Sequence, residues 1–151
     1  MKKFLLMTIN WVLFNLIVQA QHGLFAPGEY AFDGNDLVSY FDSEKPIKGI
    51  EKYTYEYNGW KLQFANETNL KKFKANPKKY HPAYDGYCAI ALTQGSLVKP
   101  DFSQFKIEEG ELLFFEVRAF FNGRTAWEKN PQVNRIMADS KYQKLVIKPT
   151  N

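Results

Sequence analysis

The sequence predicts a small single α+β domain in which two β-hairpins pack with short helices. Three observations carry that prediction. Residues Tyr53 to Tyr57 and Trp60 to Phe64 alternate along each run and meet at Asn58-Gly59, a pair that accepts the positive φ values of a type I′ turn. Phe102 to Ile107 and Glu111 to Val117 flank Glu108-Glu109-Gly110 as a second hairpin. Helix signals follow both: Asn66 is a good N-cap for a helix from Glu67 to Ala75, and Pro131 fits the first turn of a last helix to about Lys144.

Taken in order, Met1-Lys2-Lys3 precedes an apolar run from Phe4 to Val18 that ends in Val18-Gln19-Ala20. That is the layout of a secretory signal peptide over residues 1–20. Thr8, Asn10 and Asn15 interrupt the run, so it falls short of the roughly 20 clean apolar residues of a spanning helix. The expectation is export to a periplasm or the extracellular space, without stable membrane insertion after cleavage; retention of the segment as an anchor is the alternative. Residues 21–33 read as a lead-in containing His22, Gly23, Pro27 and Gly28, and 34–148 as the folded domain with a C-terminal helical extension.

Within that domain Asp36 can cap a short helical turn carrying Leu37, Tyr40 and Phe41 on one face. Asp42 to Gly49 is a loop. In the first hairpin Trp60, Leu62 and Phe64 share one face and point to the core. In the helix after Asn66, Leu70 and Phe73 face inward and Lys71, Lys72 and Lys74 outward, with Pro77 as the stop. Leu112 to Phe115 is apolar without alternation, which predicts a strand covered on both faces. A short helix surrounds Trp127, and the last helix turns Val133, Ile136 and Met137 inward. No repeats or low-complexity segments are evident.

The formal charge of +4 falls by two when Lys2 and Lys3 leave with the leader. The lysines are dispersed apart from Lys71-Lys72 and Lys78-Lys79, which is no nucleic-acid footprint. Aromatic residues make up 17% of the chain, enough to line a groove or a partner surface as well as a core.

Chemistry, if there is any, concentrates in Tyr80 to Leu92, which holds the only cysteine, Cys88, and one of two histidines, His81. A lone thiol in an exported chain is buried and inert, paired with another chain, or functional. Were a helix to start near Tyr87, its N-terminus would lower the Cys88 pKa. His81 lies seven residues away across an Asp85-Gly86 turn, which matches no standard ligand spacing. Asp85 is a turn residue before it is a ligand. Asp36, Tyr40, Tyr84, Asp85 and Tyr87 are candidates to line a site around the thiol. A Cys-His-Asp hydrolase lacks a nucleophile elbow or oxyanion motif here, and a dithiol oxidoreductase lacks its second thiol.

Tyr57-Asn58-Gly59 through Phe64, followed by Phe73-Lys74-Ala75-Asn76-Pro77-Lys78-Lys79-Tyr80, resembles the YHS domain. Asp36 to Phe41 and Gly86-Tyr87-Cys88-Ala89 resemble its exported branch, the YHS-domain (seleno)proteins. The resemblance spans roughly Gly34 to Trp127. It implies a fold related to the small treble-clef-like modules of the TRASH group, and a setting in metal handling. In those relatives cysteines occupy positions that match Ser39, Ala65 and Asn69, none of them a soft-metal ligand here. The resemblance keeps the Gly-Tyr-Cys cysteine, matched by Cys88, where some members are described as having selenocysteine; that implies thiol chemistry or soft-metal binding.

Three functions follow as expectations. The first is a metal-handling accessory or sensor that binds a soft ion, copper first, through Cys88 and His81. The second is a one-cysteine redox protein cycling through sulfenic acid or a mixed disulfide. The third is a non-catalytic interaction module with a structural Cys88 and a protein partner.

Overall fold

The computed structural model describes residues 24–26 and 28–146; the leader segment and His22 lie outside the described residues. Six α-helices and three two-stranded antiparallel sheets are present among them. A left-handed turn at Ala31–Gly34 leads to α1 (Ser39–Asp42), then β1 (Ile50–Tyr57) and β2 (Trp60–Phe64). Helices α2 (Glu67–Ala75) and α3 (Pro77–Tyr80) follow. A second turn at Ala83–Gly86 leads to α4 (Ala89–Leu92), β3 (Asp101–Glu108) and β4 (Glu111–Phe115). A two-residue-stranded hairpin, β5 (Val117–Arg118) and β6 (Phe121–Asn122), precedes α5 (Gly123–Glu128) and α6 (Pro131–Val146).

The two hairpins form where turn chemistry predicts them. Asn58 and Gly59 have φ of 48° and 79°, and Glu109 and Gly110 have 53° and 82°, the paired positive values of a type I′ connection. Trp60, Leu62 and Phe64 are buried as expected. Asn66 caps α2 by accepting the Asn69 N–H at 2.8 Å. Pro77 both ends α2 and opens α3 at its first position, where its missing N–H costs nothing.

The element order repeats, contrary to the expectation of no repeats. Ala31-Phe32-Asp33-Gly34 and Ala83-Tyr84-Asp85-Gly86 make the same turn, with φ of 57° and 54° at Phe32 and Asp33 and 57° and 52° at Tyr84 and Asp85. Each turn enters a four-residue helix and then a hairpin. The first hairpin pairs Ile50 with Phe64 and then Thr54 with Gln63; the second pairs Asp101 with Phe115 and then Phe105 with Phe114. The same bulge therefore recurs 51 positions later at every partner (Ile50 to Asp101, Phe64 to Phe115). An asparagine-capped helix follows in both halves, at Asn66 and Asn122. Another helix then begins at Asn76-Pro77 and Asn130-Pro131. The repeated sequence is confined to turns and caps, too short to register as periodicity.

β4 lies between two apolar cores. Leu112 and Phe114 join Phe32, Tyr40, Trp60, Phe64 and Phe102 in one, whereas Leu113 and Phe115 join Tyr84, Leu92, Trp127 and Ala138 in the other. Two-residue alternation sends neighbours to opposite faces, so the unbroken apolar run has the double cover predicted for it. Residues 24 and 25 belong to the first core and not to a loose lead-in: Leu24 packs against it, and the Phe25 ring is 4.9 Å from Phe32.

The last helix corrects the predicted stripe. Val133, Ile136 and Met137 are exposed, Ile136 at 69%, while Ala138 is buried and Tyr142 and Leu145 pack beside it. Ala138, Tyr142 and Leu145 share one face at spacings of four and three. The small Ala138 permits close approach to α4, whereas the bulkier aliphatic stripe lies on another face.

Gly86 and Gly110 both hold positive φ, 86° and 82°. A Cβ at Gly86 would sit 2.7 Å from the Phe32 ring, whereas one at Gly110 meets nothing within 4 Å. We expect Gly110→Ala to cost about 1 kcal/mol from backbone strain alone, and Gly86→Ala about 2–3 kcal/mol because a clash adds to the same strain. Urea unfolding of both variants measures the difference.

Candidate functional site

The second turn and the start of α4 gather most of the predicted site residues. Tyr84 and Asp85, held left-handed, project beside His81. Its Nε2 lies 2.7 Å from Asp85 Oδ1, and the Tyr142 hydroxyl donates to the other oxygen, Oδ2. The His81 ring stacks on Trp60, with centroids 4.8 Å apart and planes 14° from parallel. With Nε2–H donating to Asp85, Nδ1 is left as a buried acceptor with no hydrogen-bond partner among the described residues. The neighbouring Tyr84 hydroxyl donates to Asp139 Oδ1 at 2.7 Å. Burial pushes the Tyr84 and Tyr142 hydroxyls well above their usual range, and the Asp85 carboxylate adds to the rise at Tyr142.

The His81–Asp85–Tyr142 chain runs between two shallow clefts. His81 lines one of about 310 Å³ with Tyr57, Asn58, Lys78 and Glu111. Asp85 and Tyr142 line one of about 130 Å³ with Tyr87, Leu97 and Leu145. Sequence reading found His81 and Asp85 but missed Tyr142 and Trp60. Tyr142 lies 57 residues from Asp85, on a helix whose inward face was assigned to other residues. Trp60 was read only as core.

Cys88 sits elsewhere in chemical terms. It is the N-cap of α4 and is fully buried. Its Sγ accepts the Glu116 N–H at 3.2 Å, and its own N–H donates to the Val98 carbonyl. Burial pushes the thiol up, and this outweighs the N–H groups of Ala91, Glu116 and Ile90 that pull it down. The expected lowering at a helix N-terminus is thus overturned: three donors do not compensate for a sulfur removed from water.

Asp36 occupies the matching place in the first half. It too is fully buried. Oδ1 accepts the Val38 N–H at 2.8 Å, and Oδ2 accepts the Ala65 N–H at 2.9 Å and Asn69 Nδ2 at 2.6 Å. Ala65 directly follows β2 as Glu116 follows β4, so each hairpin is tied at the same point to the start of its half. Ser39 donates to the Asp36 carbonyl at 2.7 Å. Ser39, Ala65 and Asn69 therefore converge on Asp36. Tyr40 does not line the Cys88 surroundings: its hydroxyl donates to the Phe102 carbonyl and accepts from Asn35 inside the first core, where burial raises its pKa.

As folded, the Cys88 sulfur and the His81 Nε2 are each engaged with other groups. The sulfur is held by backbone N–H groups, the histidine Nε2 by Asp85, and no three His, Cys, Asp or Glu side chains converge among the described residues. No helix among those residues is long and apolar enough to cross a membrane. Comparison with known proteins returns no matching family model, no matching curated protein and no matching solved structure.

Removing Asp36 strands two backbone N–H groups and an amide. We expect Asp36→Ala to lose about 2–4 kcal/mol in chemical unfolding, with Asp36→Asn recovering part of it. For Cys88, the folded pKa lies above the unfolded one, so the folded chain keeps a proton that the unfolded chain releases. Its contribution to stability is complete below the unfolded value of about 8.5 and declines as pH rises through it. The stability gap between wild type and Cys88→Ala narrows above that pH in paired urea titrations.

Proposed function

We propose that this chain is a non-catalytic binding module of the YHS type, exported, with a structural cysteine. One observation carries the reading: Cys88 holds in the second half the joint that Asp36 holds in the first, each accepting the N–H of the residue that directly follows its hairpin. A position used in this way by a carboxylate and by a thiol is explained by the fold alone. Burial and the raised thiol pKa support the same reading, because reactive cysteines are exposed thiolates in electropositive surroundings.

The copper and redox readings both require Cys88 to leave this joint. The His81–Asp85–Tyr142 chain lacks an adjacent nucleophile among the described residues, so it supports binding at the flanking clefts and not turnover. Export rests on the pattern of residues 1–20, and the YHS assignment on the motifs at Asp36–Phe41, Tyr57–Phe64, Asn76–Tyr80 and Gly86–Ala89.

Thiol labelling tests the reading. We expect Cys88 in the native chain to react with an aromatic disulfide at least about a hundredfold more slowly than in urea, at a rate set by opening of the fold. Copper(I) titration under reducing conditions should give the same weak binding for wild type and Cys88→Ala. Rapid native labelling, or tight one-to-one copper binding lost in the variant, would return the assignment to thiol chemistry.

A further inference from the structure

The two halves provide an internal standard for what the fold requires. In the first half the capping Asn66 comes two residues after the end of β2, at Phe64. In the second, Asn122 comes seven residues after Phe115. The difference is five residues, Val117 to Phe121, which form most of the β5–β6 hairpin. The first half makes the same joint without them.

Four of these five added residues are apolar, and all five lie outside the core. Phe120, at the turn, is fully exposed at 105%, and Val117 and Phe121 are 45% and 40% exposed. Arg118 pairs in register with Phe121, which sets a cation beside the aromatic tip. No acidic residue occurs from Val117 to Trp127, but the acids at either end are paired with its two arginines: Glu116 with Arg118 at 2.5 Å and Glu128 with Arg124 at 3.1 Å. The charge of the chain is divided at this hairpin: Gln21 to Glu116 has 11 Lys and Arg against 14 Asp and Glu, whereas Val117 to the C-terminus has seven against two.

We propose that the β5–β6 hairpin is a docking tip for an anionic phospholipid surface, with Phe120 and Phe121 entering the interface and the exposed Arg118 and Arg124 exchanging their pairs with Glu116 and Glu128 for the headgroups. A six-residue hairpin presents far less than the roughly 800 Å² per partner of a stable protein interface. Aromatic side chains flanked by cations suit a water–lipid boundary, where the rings leave water and the charges remain in it. The proposal goes beyond the binding-module reading, because the hairpin lines neither of the two clefts. Its assay does not depend on Cys88, so either can fail alone.

The test is co-sedimentation of the chain from Gln21 onward, which contains every described residue, with vesicles. We expect binding to mixed phosphatidylcholine–phosphatidylglycerol vesicles, weakened by salt, and at least about tenfold weaker binding to pure phosphatidylcholine. Phe120→Ser with Phe121→Ser should lose about tenfold or more with unchanged circular dichroism and unfolding midpoint, and the corresponding double Trp variant should keep binding. Absence of binding to the mixed vesicles, or equal binding by the double Ser variant, overturns the proposal. Phe120-dependent self-association in sedimentation velocity without vesicle binding overturns it in favour of a second copy of the chain.

Discussion

β4 is the constraint on which the rest of the structure depends. Leu112, Leu113, Phe114 and Phe115 are all fully buried, and their alternation supplies one wall to each of two cores. Each such side chain contributes about 1.5–3 kcal/mol by leaving water, but the positional consequence matters as much. A one-residue slip of β4 against β3 would exchange the faces and spoil both cores at once. Phe32 then joins the halves. Held left-handed at φ 57°, it places its ring 5.1 Å from Trp60 of its own hairpin and 5.8 Å from Phe114 of the other. A left-handed pair of non-glycine residues costs energy, and such strain often marks functional sites. Here it occurs twice, at Phe32-Asp33 and Tyr84-Asp85, so its cause is the turn that both halves need.

The hairpins, the Asn66 cap and the double cover of β4 were legible because each rests on local chemistry: Asn58-Gly59, a side-chain oxygen before a helix, and four apolar residues in a row. The inward face of α6 was not. Val133, Ile136 and Met137 make a good helical stripe, but tertiary packing chose Ala138, Tyr142 and Leu145, where a small residue allows close approach. The direction of the thiol pKa was not legible for a related reason. A helix N-terminus can be inferred from sequence, whereas the depth of burial that reverses its effect depends on α4 packing against β4 and α6. Tyr142 gave no local signal that it would meet Asp85. The repetition was missed because it lies in left-handed turns, a bulge and caps, where a few residues specify geometry and the rest are free to differ.

That repetition separates candidate function from architecture. Asp36, Cys88 and the strained turns have counterparts and are accounted for by the fold. The Tyr142 bond to Asp85 and the β5–β6 hairpin belong to the second half only, and the His81–Trp60 stack occurs once, where the link meets the first half. Features that one half lacks while folding by the same plan are the ones left for recognition, and they lie on the surface. The net effect is a shared buried interior with the differences at one cleft and the projecting tip.

The repeated plan also bears on cooperativity. A turn–helix–hairpin–helix unit of this size buries too little surface to stand alone, and β4 of the second unit supplies Leu112 and Phe114 to the core of the first. Each half is therefore part of the other's interior, and the short link between Tyr80 and Ala83 keeps the two at high mutual concentration. Unfolding either half strips cover from the other, so the pair is expected to melt as one unit.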